Sequence, residues 1–173
     1  MFSAERPHKD IIPIAAGTSQ VYLLKNGNHS VLIDAGKKNR SHKILRKILG
    51  FTLRACHIKL IILTHTHYDH TGSLKNLQEA TNAKVMVHRA EGENLLKGFT
   101  DLPRGTNQFS RGLSRLGTNL FPSIAHFEAV KPDFEIGDKY PLAEFGLDGY
   151  VMHTPGHTSG SVSIILDNGA AFV

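Results

Sequence analysis

A chain of 173 residues, 40% hydrophobic and 20% charged, is long enough to close a core and too apolar in composition to stay disordered. No apolar run approaches the roughly 20 residues of a membrane span, residues 1–7 lack an apolar signal core, and the lone Cys56 excludes an internal disulfide, so a single domain over 1–173 in a reducing cytoplasm is expected. The net charge of +5 and pI near 9.4 read as a solvated basic surface rather than a nucleic-acid footprint, because the cations are spread along the chain.

In chain order, residues 11–16 read as an edge-like strand, since Pro13 cannot donate to a ladder. Residues 20–25 and 30–34 read as strands joined across Asn26-Gly27-Asn28, where Asn and Gly tolerate positive φ. Asp34 ends the returning strand beside Ala35-Gly36; it can build a site or brace a loop, and both readings stay open. Residues 41–49 read as an amphipathic helix capped by Ser41, with Ile44, Leu45, Ile48 and Leu49 on one face and Gly50 at its end. Cys56, just before the next strand, reads as a packed small hydrophobe. Residues 60–63 form a short apolar strand, 73–81 a helix with Leu74 and Leu77 inward, 83–87 a strand and 89–96 a helix. The order β-β-β-α-β-α-β-α predicts a mixed α/β sheet covered by helices. From 97 to 131 the periodicity is lost among glycines, prolines, Arg104, Arg111 and Arg115, which reads as an excursion able to cover a site. Strands resume at 133–136, 150–154 and 162–166, with a turn at Asp167-Asn168-Gly169.

One stretch carries chemistry. Thr64-His65-Thr66-His67-Tyr68-Asp69-His70-Thr71-Gly72 puts three histidines and an aspartate within six residues, directly after an apolar strand. Zinc accepts such nitrogen and oxygen donors. If the strand runs on to His67, alternation places His65 and His67 on one side, where they can share one ion. Asp69 and His70 follow where the chain must turn and can face a second ion from the opposite flank. Much later, His153 and His157 flank Pro155-Gly156. His157, in the loop past the turn, is the chosen third ligand, whereas His153 is still in the strand. His8, His29, His42, His57, His88 and His126 carry no metal reading.

Three stretches together resemble the metallo-β-lactamase superfamily of hydrolases. The run from Thr64 to Gly72 resembles its H-x-H-x-D-H signature. Thr154-Pro155-Gly156-His157-Thr158-Ser159-Gly160-Ser161 resembles its T-P-G-H-T-x-G-S motif, and Val31-Leu32-Ile33-Asp34-Ala35-Gly36 its D-x-G strand end. The resemblance implies an αββα sandwich with the metal site at one edge, between two sheets. It implies that His65, His67 and His157 bind one zinc, that Asp69 and His70 help bind a second, and that Asp34 supports the site without ligating. His67 also favours the zinc hydrolases over a diiron branch. The implied reaction is attack by metal-activated hydroxide on an ester, thioester, lactone or related bond of a small molecule, with Asp69 as the catalytic residue that orients the nucleophile. Ser73 and Ser161 read as helix or turn residues. The family pattern also expects a Gly-Asp after the last strand and a further histidine, which the chain does not show. The C-terminal part of the sandwich is therefore expected to be incomplete, the second site short of ligands, and the 173-residue chain poorly active. An open sheet edge would favour self-association. A non-catalytic metal-binding remnant, or an RNA-processing nuclease using the region of Arg104 to Arg115, stands as the alternative.

Overall fold

The computed structural model describes residues 10–26, 28–51, 54–100 and 126–173. Gly27 of the predicted hairpin turn and most of the predicted excursion, with Arg104, Arg111 and Arg115, lie outside them.

Two sheets face each other. The larger has six strands in spatial order β1 (Asp10–Ala15), β2 (Gln20–Lys25), β3 (Ser30–Ile33), β4 (Ile58–Ile62), β5 (Lys84–His88) and β6 (Phe134–Ile136). The first three pair antiparallel and the last three join in parallel. Parallel neighbours need crossovers. These are supplied by α1 (Ser41–Leu49), by α2 (Tyr68–Thr71) with α3 (Leu74–Thr81), and by α4 (Arg89–Lys97). The smaller sheet is antiparallel, in the order β10 (Ala171–Phe172), β9 (Val162–Leu166), β8 (Gly149–His153) and β7 (Lys139–Pro141).

Alternation along the central strands explains why β3 is buried at every position. Leu32, Ile61 and Val85 point into one apolar cluster with Ile44 and Ile48 of α1, Leu74 and Leu77 of α3, and Leu95 of α4. Their neighbours Val31, Ile33, Leu60, Ile62 and Met86 point into a second cluster, shared with Val151, Val162, Ile164, Leu166 and Phe172 of the smaller sheet. The layers are thus helix, sheet, sheet. This is the predicted αββα sandwich with its final helical layer missing among the described residues. None of the described helices is long and apolar enough to cross a membrane.

Several local expectations are corrected. Arg40, not Ser41, holds the N-cap of α1; Ser41 is a buried first-turn residue. Leu49 is 56% exposed, because a step of 100° past Ile48 carries it off the buried stripe. Cys56 is exposed rather than packed, since it lies on a short 3-10 turn (Ala55–His57) before β4 begins. The apolar strand starts at Ile58 and stops at Ile62, so His65 and His67 lie in a loop rather than on extended strand, and Asp69 and His70 on the short helix α2. Its register against β3 and β5 is exhausted at Ile62, paired with Ile33 and Met86.

Candidate metal centre

The site grows from the carboxyl ends of β3, β4 and β5, the edge where an open α/β sheet leaves a crevice for ligands. Asp34 follows β3, residues 63–70 follow β4, and Glu91 stands three residues beyond β5. The smaller sheet contributes His157 from the loop between β8 and β9. That loop is docked on the β4 loop by the Val162 N–H donating to the Thr64 carbonyl at 2.9 Å.

Although the strand stops early, the predicted histidines converge. The His65 and His67 rings meet edge to face at 4.6 Å, and His157 stands 4.8 Å from the first and 4.7 Å from the second. One ring nitrogen from each lies within 4.8 Å of the others, and this is the group of potential metal ligands found among the described residues. His67 Nδ1 and His157 Nε2 are 3.0 Å apart. Tetrahedral zinc with bonds of 2.0–2.1 Å sets nitrogens about 3.3 Å apart, so a small ring movement admits the ion. One of these two nitrogens carries the proton they share, which a metal would displace.

Asp34 decides which nitrogens face the site. Its carboxylate is buried and can only accept. It receives the Thr64 N–H at 2.8 Å, the Thr64 hydroxyl at 3.0 Å, and His70 Nδ1 at 2.8 Å. His70 therefore carries its proton on Nδ1, leaving Nε2 for a ligand. The Thr64 hydroxyl, having given its proton to Asp34, accepts from His65 Nδ1 at 3.0 Å. His65 Nε2 is then a bare lone pair, buried and without a hydrogen-bond partner among the described residues. A buried orphan acceptor costs free energy; beside two further imidazoles it fits a metal ligand. Such carboxylate-backed histidines are the arrangement that fixes ring orientation in metal sites. Of the two open readings of Asp34, the structure shows the bracing one, with φ of 62° at the strand end, a conformation Asp adopts more readily than most.

Protonation follows the same geometry. Burial, reinforced by His70, His67 and His157, pushes His65 from 6.5 down to about 2. Burial and His157 lower His67, against the charges of Asp69 and Glu91. Both rings are thereby held neutral, the form that binds a metal. His70 goes the other way. Burial opposes its charge, but the hydrogen bond and charge of Asp34, helped by Asp69, prevail and raise it.

Asp69 and His70 sit on α2, flanking the cluster. Asp69 Oδ2 accepts from the Thr18 hydroxyl at 3.1 Å, and its Oδ1 is 4.0 Å from His70 Nε2. No second set of ligands converges on them among the described residues, as the sequence led us to expect. Gly72 ends α2 against the turn after β3. A Cβ there would lie 2.3 Å from the Lys38 nitrogen and 2.6 Å from the Tyr68 oxygen, both backbone atoms that cannot swing aside. Gly72→Ala is expected to destabilise the fold by about 1–3 kcal/mol, read as a lower urea midpoint. Wild-type stability for this variant would show that α2 is free to shift.

Sequence reasoning passed over Thr64, Thr66, Glu91, His88 and His153. Ser73 and Ser161 are turn residues, bonded to the Lys37 carbonyl and the Thr158 N–H respectively. His153 is not a ligand: its Nε2 donates to the Ser159 carbonyl at 2.8 Å and its ring stacks on His88 at 3.8 Å. The one available signal was the spacing of His88 and Glu91 immediately after a parallel strand.

Comparison with known proteins agrees with this geometry. The family model of the metallo-beta-lactamase superfamily matches residues 14–170. The chain is 32% identical over 174 residues to the probable metallo-hydrolase YflN of Bacillus subtilis, covering 95% of this chain and 62% of that protein. It is 28% identical over 155 residues to the acyl-coenzyme A thioesterase MBLAC2 of Bos taurus, covering 84% and 53%. Among solved structures, a metallo-beta-lactamase of Cronobacter sakazakii superposes with a TM-score of 0.70 at 24% identity, over 93% of this chain and 58% of that one, a likeness of fold. The chain spans a little over half the length of these relatives. By its family model, matched over residues 14–170 and in keeping with the two-sheet fold and the converging imidazoles, the chain belongs to the metallo-beta-lactamase superfamily.

Proposed function

We propose that this chain carries the histidine-rich zinc site of a hydrolase that cleaves an acyl bond, an ester, thioester or lactone, of a small molecule. The observation that carries the reading is the meeting of His65, His67 and His157, two of them held neutral by burial and one presenting an unpartnered Nε2. The thioester option draws on the bovine relative, an acyl-coenzyme A thioesterase. Zinc, when bound, supplies an acidified water whose pKa falls from 15.7 to about 7, and a positive charge for a developing oxyanion. The chain's own residues do the rest. The three imidazoles would hold the ion, Asp34 fixes His70 directly and His65 through the Thr64 hydroxyl, and Asp69, on the open flank of the cluster, would orient a water there and accept its proton.

The test combines metal counting with turnover. The purified chain is expected to retain one tightly bound zinc through dialysis against a weak chelator, with a second taken up only at excess metal. Hydrolysis of acyl thioesters, aryl esters and lactones should depend on that metal and stop with a strong chelator. Retention of no zinc, or turnover indifferent to chelation, would sink the reading.

A further inference from the structure

We propose that Glu91 is a positioning residue of the metal centre, tying the loop that bears His157 to the loop that bears His65 and His67, so that the three imidazoles stand together before a metal arrives. The proposal rests on the reading of these imidazoles as zinc ligands.

Glu91 is 2% exposed, in the first turn of α4, where the helix N-terminus favours a carboxylate. Its Oε2 accepts a short hydrogen bond from the hydroxyl of Thr66, the fully buried residue between His65 and His67. Asn94 Nδ2 supports the same oxygen at 3.4 Å. Its Oε1 accepts from the Gly160 N–H at 3.3 Å, three residues past His157. One carboxylate thus spans two ligand loops that belong to different sheets and lie far apart in sequence.

The contact is tight. A Cβ on Gly160 would lie 2.4 Å from Glu91 Cγ, so only glycine lets the peptide approach. The same peptide unit is held at its other end too, since the Ser159 carbonyl takes the proton of His153 Nε2. His153 in turn stacks on His88 at 3.8 Å, with the rings 9° from parallel. His88 Nδ1 accepts from the Ala90 N–H at 3.2 Å and so caps the helix that carries Glu91. The network closes on itself: helix cap, carboxylate, peptide, imidazole, stacked imidazole. Among the described residues, the donors that Glu91 meets in this network are three neutral groups, the Thr66 hydroxyl, the Asn94 amide and the Gly160 N–H. Burying a carboxylate on neutral donors alone is an expensive way to hold a fold together. It is an effective way to fix two ligand loops against each other, because both oxygens are used and each bond is charge-assisted.

The test measures zinc affinity of the full chain by competition with a chromophoric chelator, for the unaltered protein, Glu91→Ala and Glu91→Gln, with thermal melts of each in the metal-free state. Loss of a supporting partner of this kind should weaken zinc about 10–100-fold in Glu91→Ala. Glu91→Gln should stay within about threefold of the unaltered chain. Its carbonyl can accept from Gly160, and its amide can donate to a Thr66 hydroxyl turned to accept. Equal affinity of Glu91→Ala and the unaltered chain overturns the proposal, and so does a Glu91→Gln as weak as Glu91→Ala, which would assign the effect to charge. If Glu91→Ala does not fold, Thr66→Val decides: it keeps the shape of Thr66 and removes the tethered hydroxyl, and unchanged affinity there overturns the tether. Failure of the unaltered chain to take up zinc sinks the metal-site reading itself and is read separately.

Discussion

His65→Ala is expected to lower zinc affinity by about 10²–10³-fold. Zinc bound by four ligands in small proteins is worth about 10–16 kcal/mol at neutral pH, roughly 2.5–4 kcal/mol per ligand. His65 should sit at the upper end of that share. Its ring is already desolvated, already neutral and already turned with Nε2 toward the site, so no proton has to leave and no rotamer has to be found. The same variant separates the metal site from the core. In the metal-free chain, removing the ring also removes a buried nitrogen that lacks a partner, so the loss should fall at the low end of the range for large-to-small core changes, about 2 kcal/mol. In excess zinc the gap should widen by about 3–4 kcal/mol, because binding to the native state alone stabilises it by mass action. Chelator competition gives the affinity and melting curves with and without zinc give the gap. His42→Ala, on the exposed face of α1, should change neither. A His65→Ala chain that binds zinc within a few-fold of the unaltered one would remove His65 from the site.

The candidate ligands were legible because a metal imposes a local rule on sequence. All four residues of the first motif, His65, His67, Asp69 and His70, lie within one loop and one helical turn past β4, where spacing alone limits where side chains can go. His157 was legible through Pro155-Gly156, which forces a turn beyond β8. What sequence could not show is how those loops are fixed. Glu91 and Gly160 are 69 positions apart, and Thr64 and Asp34 are 30 apart. The Asp34–Thr64 pair is created by the crossover that brings β3 and β4 side by side, and the Glu91–Gly160 pair by the facing of the two sheets. His88 and His153 looked alike in being unassigned, and only the facing of the two sheets makes them a stack. The core shows the same division. Burial of β3 and β4 on both faces follows from their apolar composition, whereas the early end of β4 depends on where the neighbouring strands stop offering hydrogen bonds. Asp34 is the clearest case. The residue and its place at a strand end were visible, but two roles fitted them equally until its three partners were in view.

Asp34 is also where a single atom change should have the most layered effect. Asp34→Ala removes an acceptor that serves the Thr64 N–H, the Thr64 hydroxyl and His70 Nδ1, all at 3.0 Å or less. Breaking such a buried charged network costs about 3–5 kcal/mol, and alanine is also a poor occupant of φ near 62°. That loss approaches the whole stability of a small domain, so Asp34→Asn is the informative change, since asparagine keeps the shape and tolerates the backbone. Its carbonyl oxygen can still serve Thr64. Its amide must then face His70 Nδ1, donor against donor, and the conflict is relieved when His70 moves its proton to Nε2. That tautomer blocks the nitrogen which otherwise faces the second-site flank. Nitrogen chemical shifts of the imidazole would show the swap directly, and zinc uptake at excess metal should fall while the single tight zinc persists. The pH dependence carries a sign. Because Asp34 raises the folded-state pKa of His70 above its ordinary 6.5, their contact contributes fully below 6.5 and fades as pH rises through the folded value. In metal-free protein the stability gap between the unaltered chain and Asp34→Asn should therefore narrow on the alkaline side. A gap that stays constant from pH 6 to pH 9, with the His70 proton still on Nδ1, would show that Asp34 braces Thr64 alone.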